Sequence, residues 1–256
     1  MTRRVQCVLC VLGAAVLSGC GSGAVDAVGL VSGGLAEGLV AHWTFDEGAG
    51  STVRDSSSRH KDGTINGSTW SWISQGRFGG ALHFEQGDFV TVDSFPDATI
   101  GWTVSSWVQV ASKDMNADEG TIISTENLFK GGWEMSVIPN QEHESHFGFW
   151  EGPTQYDYAA YYCKNCLEPD RWQQITGVVD GSAKTLAFYL DGVLQARVSV
   201  LQAISPGVST VTMGSWASPD KQPRYLVGSL DDIAIWSRPL VDAEVATLAQ
   251  GPAPVQ

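Results

Sequence analysis

The stretch Tyr225–Leu240, YLVGSLDDIAIWSRPL, decides the fold that we predict for this chain. It has the composition of one long apolar strand, and it carries two adjacent carboxylates, Asp231 and Asp232. Side chains alternate between the two faces of a strand, so Asp231 is in phase with Ile233 and Ile235, which have core character. A carboxylate on a buried face is costly unless it is paired, hydrogen-bonded or bound to a cation. We therefore predict that Asp231 has such a partner.

The partner that we expect for this strand is the first strand of the domain, Leu39–Asp46 (LVAHWTFD). Between the two lie many short runs of β-branched and aromatic residues, with turn residues at a spacing of roughly 8–12. Asp191-Gly192 is the strongest hairpin signal among them. We find no internal repeat and no βαβ alternation. The sequence therefore predicts an all-β, two-sheet antiparallel sandwich whose first and last strands pair, with a short C-terminal helix at Leu240–Ala249.

The composition supports this fold class and limits the kinds of binding partner that we expect. The chain has 256 residues, a formal net charge of −13, 29 glycines and 10 tryptophans. This length is ample for one domain with a sizeable core. A strongly acidic surface repels nucleic acid and anionic lipid headgroups, so we expect neither as a partner. Acidity also suits cation binding, although a solvated exported surface has the same composition.

The N-terminal residues have the pattern of a bacterial secretory signal. Met1–Gly19 begins with two arginines and continues with the apolar run Val5–Leu17, which is too short for a spanning helix. It ends at Leu17-Ser18-Gly19-Cys20, which resembles the lipobox of bacterial lipoproteins. That resemblance implies acylation of Cys20 and a stable membrane anchor, whereas the alternative is a plain signal peptide. Gly21 rather than Asp follows the cysteine, which by the same resemblance favours the outer membrane.

We divide the chain into a removed signal and three mature parts. Residues 1–19 are the lipoprotein signal peptide, and residues 20–38, small and glycine-rich, are expected to form a lipidated flexible tether. Residues 39–250 form the sandwich, and residues 251–256 form a tail. The expected location is therefore the bacterial cell envelope, with the domain close to the membrane.

Six stretches of the sequence carry a resemblance to a known family. They follow one another in family order from about Leu39 to Leu248: LVAHWTFDEGAGSTVRDSS, KDGTINGSTW, GRFGGALHFEQGDFVTV, WTVSSWVQV, WQQITGVVDGSAKTLAFYLDGVLQA and GSLDDIAIWSRPLVDAEV. The chain resembles the LamG-like jelly-roll domains of the concanavalin A-like lectin/glucanase fold. This resemblance implies a jelly-roll sandwich with one concave sheet and with adjacent first and last strands. The family includes sugar-binding and adhesion modules.

The resemblance also implies a structural calcium ion at the edge of the sandwich. Asp231 matches the acid of the family's closing strand, and Asp46 matches the acid after the first strand. Asp55 is a possible third ligand. Ca²⁺ takes 6–8 oxygen ligands, so main-chain carbonyls of Arg54–Asp62 would have to contribute. The alternative is that Asp46 caps a turn and Asp231 accepts backbone hydrogen bonds.

Two cysteines remain in the predicted domain, Cys163 and Cys166, as a C-x-x-C motif in a loop. A disulfide is the usual state of such a pair in an exported protein. Two alternatives stay open. His143 and His146 could complete a zinc site, and a redox motif would need a thioredoxin-like context that the sequence lacks.

Aromatic residues are concentrated in and beside the loops. We expect Trp150, Tyr156, Tyr158 and Trp216 to bind a ligand, because exposed aromatic rings stack on the apolar faces of sugars and also form protein contacts. Their expected place is the concave sheet. The alternative is that these rings only pack loops against the sandwich.

The sequence favours a non-enzyme. Glucanases of this fold carry an E-x-D-x-x-E spacing on one strand, and glycoside hydrolysis with retention needs two carboxyls about 5 Å apart. No such spacing occurs here, and the nearest approach, Glu142-His143-Glu144, has the character of a turn. We therefore expect a surface-anchored lipoprotein whose module binds a carbohydrate or mediates adhesion. The alternatives are an envelope lipoprotein that binds a protein partner or has a structural role, and a glycoside hydrolase with an atypical site.

Overall fold

A computed structural model describes residues 34–95, 101–114, 117–125, 132–140, 143–150, 158–200, 209–216 and 223–254. Within these ranges it contains sixteen strands and one short α-helix. The strands are β1 Leu39–Trp43, β2 Thr52–Val53, β3 Gly63–Asn66, β4 Ser71–Ile73, β5 Ala81–Phe84, β6 Phe89–Phe95, β7 Gly101–Gln109, β8 Gly120–Thr125, β9 Trp133–Ile138, β10 Glu144–Trp150, β11 Tyr158–Cys163, β12 Gln173–Asp180, β13 Thr185–Leu190, β14 Val193–Ser199, β15 Ser209–Met213 and β16 Gly228–Trp236. The helix, α1, is Asp242–Leu248.

The strands form two antiparallel sheets, which confirms the predicted all-β sandwich. Sheet I has the order β14-β13-β12-β7-β16-β5-β4, and β1 also pairs with β16. Sheet II has the order β11-β10-β9-β8-β15-β6-β3-β2. Half of these neighbours are consecutive strands, whereas pairings such as β7 with β16, β5 with β16 and β8 with β15 join remote parts of the chain.

The predicted closure between the first and last strands is confirmed. β1 pairs antiparallel with β16, with Leu39 opposite Trp236 and Trp43 opposite Ile233. β16 pairs on its other edge with β7, and its first residues pair with β5. Every residue of β1 and of β16 is buried, as expected of strands covered on both faces.

The main core lies between the sheets and is built by strand alternation. On β7, Trp102, Val104 and Val108 face the core, and on β9 Met135 and Val137 face it from the other sheet. A second, smaller apolar cluster covers the outer face of sheet I. It is formed by α1 and sheet residues: Val245 and Leu248 pack with Tyr189, Ala234 and Trp236.

Two predicted boundaries need correction, because the domain extends beyond them at both ends. Residues 34–38, assigned to the tether, pack on the sandwich: the Trp236 indole N–H donates to the Leu35 carbonyl at 2.7 Å. Arg238 donates to the carbonyls of Gly34 and Glu37. At the other end Ala253, assigned to the tail, is buried.

The predicted signal segment and Cys20 lie outside the described residues. Within the described ranges, no helix is long and apolar enough to cross a membrane. Three strands were missed by the sequence prediction: β2, β4 and β11. The last of these, β11, ends at Cys163, which we predicted to lie in a loop.

Candidate functional site

A bulge in β16 decides where the two adjacent carboxylates point. The register with β7 shifts between Asp231 and Ala234, and Asp232 adopts a φ of 48°, which is unusual for a residue other than glycine. Asp231 therefore stands opposite Trp107 on the outer face of sheet I, whereas Ile233 and Ile235 face the core. The prediction that Asp231 is in phase with the two isoleucines is wrong, because a bulge interrupts the alternation.

Asp231 is nevertheless fully buried, beneath the loop 76–80. Its Oδ2 accepts a hydrogen bond from the Phe78 N–H at 2.8 Å, and its Oδ1 has no hydrogen-bond partner among the described residues. Burial raises the pKa of Asp231 to about 7; the N–H groups of Phe78 and Arg77 lower it, and the charges of Asp232 and Asp46 raise it. This carboxylate is therefore short of positive charge.

Asp46 and the loop 76–80 lie beside Asp231. The Gly80 N–H donates to Asp46 Oδ1 at 2.6 Å. A Cβ atom on Gly79 would collide with Asp46 Oδ1, and one on Gly76 would collide with the Gly80 carbonyl and stand 2.8 Å from Asp231 Oδ2. Glycines therefore allow the loop backbone to approach both carboxylates. Carboxylate oxygens are ligands that Ca²⁺ prefers, so Asp46 and Asp231 could supply two of its 6–8 oxygen ligands, although the loop contacts seen here are N–H groups.

Asp55 does not fit as a third ligand. Its Oδ1 accepts hydrogen bonds from the N–H groups of His42 and Ser57, and its Oδ2 accepts from the Ser57 hydroxyl and the Lys61 N–H, at 2.8–2.9 Å. These four bonds hold the loop after β1 in place and satisfy the carboxylate. Sequence position alone suggested a ligand, but the local backbone provides its partners.

Asp232, the neighbour of Asp231, is also satisfied within the protein. Its Oδ1 lies 2.6 Å from His42 Nε2, and its Oδ2 accepts from the Ala253 N–H at 2.8 Å. His42 Nδ1 lies 3.0 Å from the Ser56 hydroxyl. Asp232 thus ties β16 to β1 and to the C-terminal residues, and its role is structural.

The outer face of sheet II carries a second group of charges, which we call the polar cluster: Glu119, Glu134, His146 and Arg224. Because Trp133 and Met135 of β9 point into the core, Glu134 points outward, and on β10 His146 stands opposite Ser136 beside it. His146 Nε2 lies 3.5 Å from Glu134 Oε1 and 3.7 Å from Glu119 Oε1.

Arg224 completes the polar cluster. Its Nη1 lies 2.7 Å from Glu119 Oε1 and 3.8 Å from Glu134 Oε2. Burial raises the pKa of Glu119, and the charges of His146 and Arg224 oppose that rise. The ligand atoms of the two glutamates and His146 lie within 4.8 Å of one another, a spacing that could hold a metal ion. With the guanidinium in contact with both carboxylates, the geometry is that of an ion-pair network.

Two aromatic rings flank the polar cluster. Tyr162 of β11 stacks on His146, with ring centroids 4.6 Å apart and planes 28° apart, and it is 44% exposed. Burial raises the pKa of the Tyr162 hydroxyl, and the carboxylates of Glu134 and Glu119 raise it further, so the phenol stays neutral. Trp216 packs against the Arg224 guanidinium at 4.3 Å.

The predicted ligand-binding aromatics have different outcomes. Trp216 is only 2% exposed, so the prediction that it presents a free ring is wrong; it supports Arg224 instead. Trp150 and Tyr158 are paired residues of β10 and β11, but their side chains lie outside the described part of the structure, as does all of Tyr156. These three stay predictions.

Cys163 and Cys166 lie at disulfide distance, as predicted, with Cα atoms 5.7 Å apart. Cys163 is on the core side of β11. His146 faces the polar cluster on the opposite side of the sheet, and the carbonyl of His143 accepts the N–H of Cys166. The zinc alternative is therefore not supported, because the structure does not bring these four side chains together.

The polar cluster was missed by sequence reasoning. The alternation in Trp133–Ser136 could have placed Glu134 on an outer face. Glu119 and Arg224 precede β8 and β16, 105 positions apart, and no linear pattern joins them. The sequence prediction lacks β11, so it gives no reason to place Tyr162 on an outer face beside His146.

Comparison with known families agrees with this architecture. The family model described as Concanavalin A-like lectin/glucanases superfamily matches residues 84–246, which is more than half of the chain. The chain therefore belongs to the concanavalin A-like superfamily. No curated protein shows significant sequence similarity to it.

Solved structures with the same fold include binding domains. Domain 4 of AbnA, a GH43 extracellular arabinanase from Geobacillus stearothermophilus, was solved in complex with arabinotriose. It is 19% identical, with a TM-score of 0.63 over 83% of this chain and 98% of that one. The botulinum neurotoxin serotype D binding domain is 14% identical, with a TM-score of 0.63 over 84% of this chain. The binding domain of botulinum neurotoxin DC, solved with rat synaptotagmin II, has the same identity and TM-score. The match spans about half of each toxin chain, and at these identities the likeness shows the fold.

Proposed function

We propose that this protein is a glycan-binding module, anchored through Cys20 to the bacterial outer membrane, and that it binds its ligand on the outer face of sheet II. Membership of a lectin-containing superfamily supports the class of function. The arabinotriose complex of the AbnA domain, which has this fold, supports the class of ligand. The chemistry of the polar cluster supports the place.

The single observation that carries the proposal is the exposed ring of Tyr162 above buried charges. The ring rests on His146, so its orientation is held, and its free side can stack on the apolar face of a sugar. Glu119 and Arg224 are partly exposed beside it and offer charged acceptors and donors to hydroxyl groups. An aromatic platform with a few convergent polar groups is typical of a small-molecule site.

The test is binding of the purified full-length chain to a glycan array, followed by calorimetric titration with the strongest ligand and with arabinotriose. We expect saturable binding that Tyr162→Ala weakens about ten-fold or more, because the stacking surface is lost. Tyr162→Phe keeps the ring and should bind nearly as the parent does. Leu194→Ala, an exposed apolar residue on β14 of sheet I, is the matched control. A blank array, or equal binding by Tyr162→Ala, would refute the proposal.

Two other functions, a hydrolase and a protein-binding module, would give different results in tests of the same protein. The proximity of Glu119 and Glu134 favours a hydrolase as the second candidate, because two neighbouring carboxyls are what glycoside hydrolysis uses. We propose that the site is non-catalytic, since Glu134 is 3% exposed and both acids contact Arg224. Release of reducing sugar from arabinan or xylan by the parent chain but not by Glu134→Gln would establish the hydrolase. A blank array with capture of one defined envelope protein would establish the protein-binding alternative.

We also propose a structural Ca²⁺ at the edge of sheet I. Asp231 and Asp46 would hold it, together with carbonyl groups of the loop 76–80. The support is the unpartnered Oδ1 of the fully buried Asp231 and the close approach that the glycines of this loop allow. The ion would supply the positive charge that Asp231 lacks and would fasten the loop to β16.

A further inference from the structure

A cleft on the outer face of sheet I lies on the opposite side of the sandwich from the polar cluster. Its volume is about 620 Å³, within the range of small-molecule sites. The loop 76–77, the loop 170–172 and the residues after α1 surround it. Its floor is formed by Trp107 and Gln109 of β7, and the indole of Trp172 stands at its wall.

Two buried polar atoms, one on a residue that lines the cleft and one on its cross-strand neighbour, have no hydrogen-bond partner in the described part of the chain. Trp107 is 3% exposed and lines the cleft, and its indole N–H donates no hydrogen bond within the described ranges. Gln174 of β12, directly opposite Trp107 in the strand register, is 2% exposed, and its Oε1 accepts none there either. Buried polar groups in proteins normally have a hydrogen-bond partner, so a donor and an acceptor left unsatisfied on paired residues indicate a missing polar partner.

The charges around the cleft balance. Arg77 lies over the Trp107 ring at 4.4 Å, and Arg171 pairs with Asp191 at 2.5 Å. With Asp170, the lining has two guanidinium groups and two carboxylates. A neutral ligand fits this lining better than an anion or a cation, because the lining has no net charge of the opposite sign to attract either ion.

We propose that this cleft is a second binding site, and that it takes a neutral polyhydroxylated ligand of about the size of a monosaccharide. A hydroxyl group both accepts and donates hydrogen bonds, so a polyhydroxylated ligand carries the kind of partner that Trp107 Nε1 lacks and the kind that Gln174 Oε1 lacks. The partly exposed Trp172 offers an aromatic surface at the wall. The site is formed by β7 and the loops around it, and it does not depend on the binding face proposed for sheet II.

Two sites on opposite faces would let one molecule bridge two glycan segments. Binding at one face would leave the other free, and linked epitopes would be held with an effective concentration set by their spacing. This goes beyond a single-site module, because it predicts cross-linking of a polysaccharide.

The experiment follows the indole N–H signals of the full-length chain labelled with ¹⁵N-tryptophan, ten in all. D-glucose, D-galactose, L-arabinose and arabinotriose are titrated to millimolar concentrations. We expect one signal, assigned to Trp107 by its loss in Trp107→Phe, to shift saturably with at least one of these sugars. Trp172→Ala should weaken that binding about ten-fold, and Tyr162→Ala should leave it unchanged. Glucuronate and glucosamine serve as charged probes.

Each outcome of the titration either supports the second site or overturns it. No shift of the Trp107 signal with any neutral sugar overturns the second site, whatever happens at Tyr162. A shift with a charged probe alone overturns the neutral class. If Trp107→Phe does not fold, Trp172→Ala and Gln250→Ala replace it, since both residues are partly exposed at the rim, and calorimetry of Tyr162→Ala then reports the site directly. Binding that survives Tyr162→Ala and falls in both rim variants supports the proposal, and its survival in all of them overturns it.

Discussion

At the scale of single residues, the chemistry of Asp231 governs the edge of sheet I. The side chain is fully buried beneath a loop and accepts the Phe78 N–H on Oδ2, and its Oδ1 has no hydrogen-bond partner among the described residues. Its neighbour Asp232 is equally enclosed but is matched by His42 and Ala253. The two adjacent acids therefore differ in their surroundings, and Asp231 is the one for which we propose a bound cation.

The raised pKa of Asp231 predicts how stability depends on pH. The pKa is about 7 in the fold against an ordinary 3.8, so between these values the native state binds more protons than the unfolded chain. In EDTA, the free energy of unfolding should therefore fall as pH rises from about 4 to 7, and Asp231→Asn should lose most of this dependence. Urea unfolding across this range measures it, and the exposed Asp93→Asn is the control.

Calcium should restore the stability that is lost when Asp231 ionises. At pH 8 the carboxylate is charged, so added CaCl₂ should raise the free energy of unfolding, whereas at pH 5 protons compete and the gain should be smaller. Asp231→Asn should show little response at either pH. Equal unfolding curves in EDTA and in calcium at pH 8 would exclude the proposed ion.

At the scale of elements, the loop 76–80 and the bulge of β16 are fitted to each other. The bulge turns Asp231 to the outer face of sheet I, and the loop covers it because its glycines leave no side chain in the way. The bulge and the loop therefore bury Asp231 on the outer face of sheet I, whereas strand alternation predicted it on the core face.

Gly76→Ala tests this fit. The added methyl group would collide with the Gly80 carbonyl, which is backbone and cannot rotate away, so we expect a loss of about 1–3 kcal/mol in the free energy of unfolding. Gly251→Ala is the matched control, because its Cβ would meet nothing within 4 Å, and its effect should stay within about 0.5 kcal/mol. Equal stability of the two variants would show that the loop is not held against β16.

At the scale of the whole molecule, the proposed binding faces and the proposed anchor have distinct places. The polar cluster belongs to sheet II and the cleft to sheet I, so a glycan could be held on either side of the sandwich. The chain enters the domain at residues 34–38, which pack against β16 and the segment that follows it. The proposed tether would therefore join the domain at sheet I.

The anchor is tested by fractionation. Expressed in a Gram-negative bacterium, the parent chain should sediment with outer membranes and incorporate labelled palmitate, because acyl chains on Cys20 bind the bilayer. Cys20→Ser should abolish the labelling and release the chain from the membrane. Cys10→Ser, which alters a cysteine inside the predicted signal, is the control. Labelling that persists in Cys20→Ser would refute the lipoprotein assignment.

The sequence by itself determined the all-β class, the pairing of the first and last strands, the superfamily and the proximity of Cys163 and Cys166. The all-β class and the proximity of the two cysteines follow from periodicity, turn residues and local spacing, which act over a few positions. The superfamily and the pairing of the first and last strands rest on the resemblance of several stretches, in order, to a known family. Only the tertiary structure decided that Asp231 faces outward, that Asp55 is satisfied, that Trp216 is buried and that Glu119, Glu134, His146 and Arg224 meet. Bulges, loop closure and contacts between residues 105 positions apart set those outcomes, and none of them leaves a periodic trace in the chain.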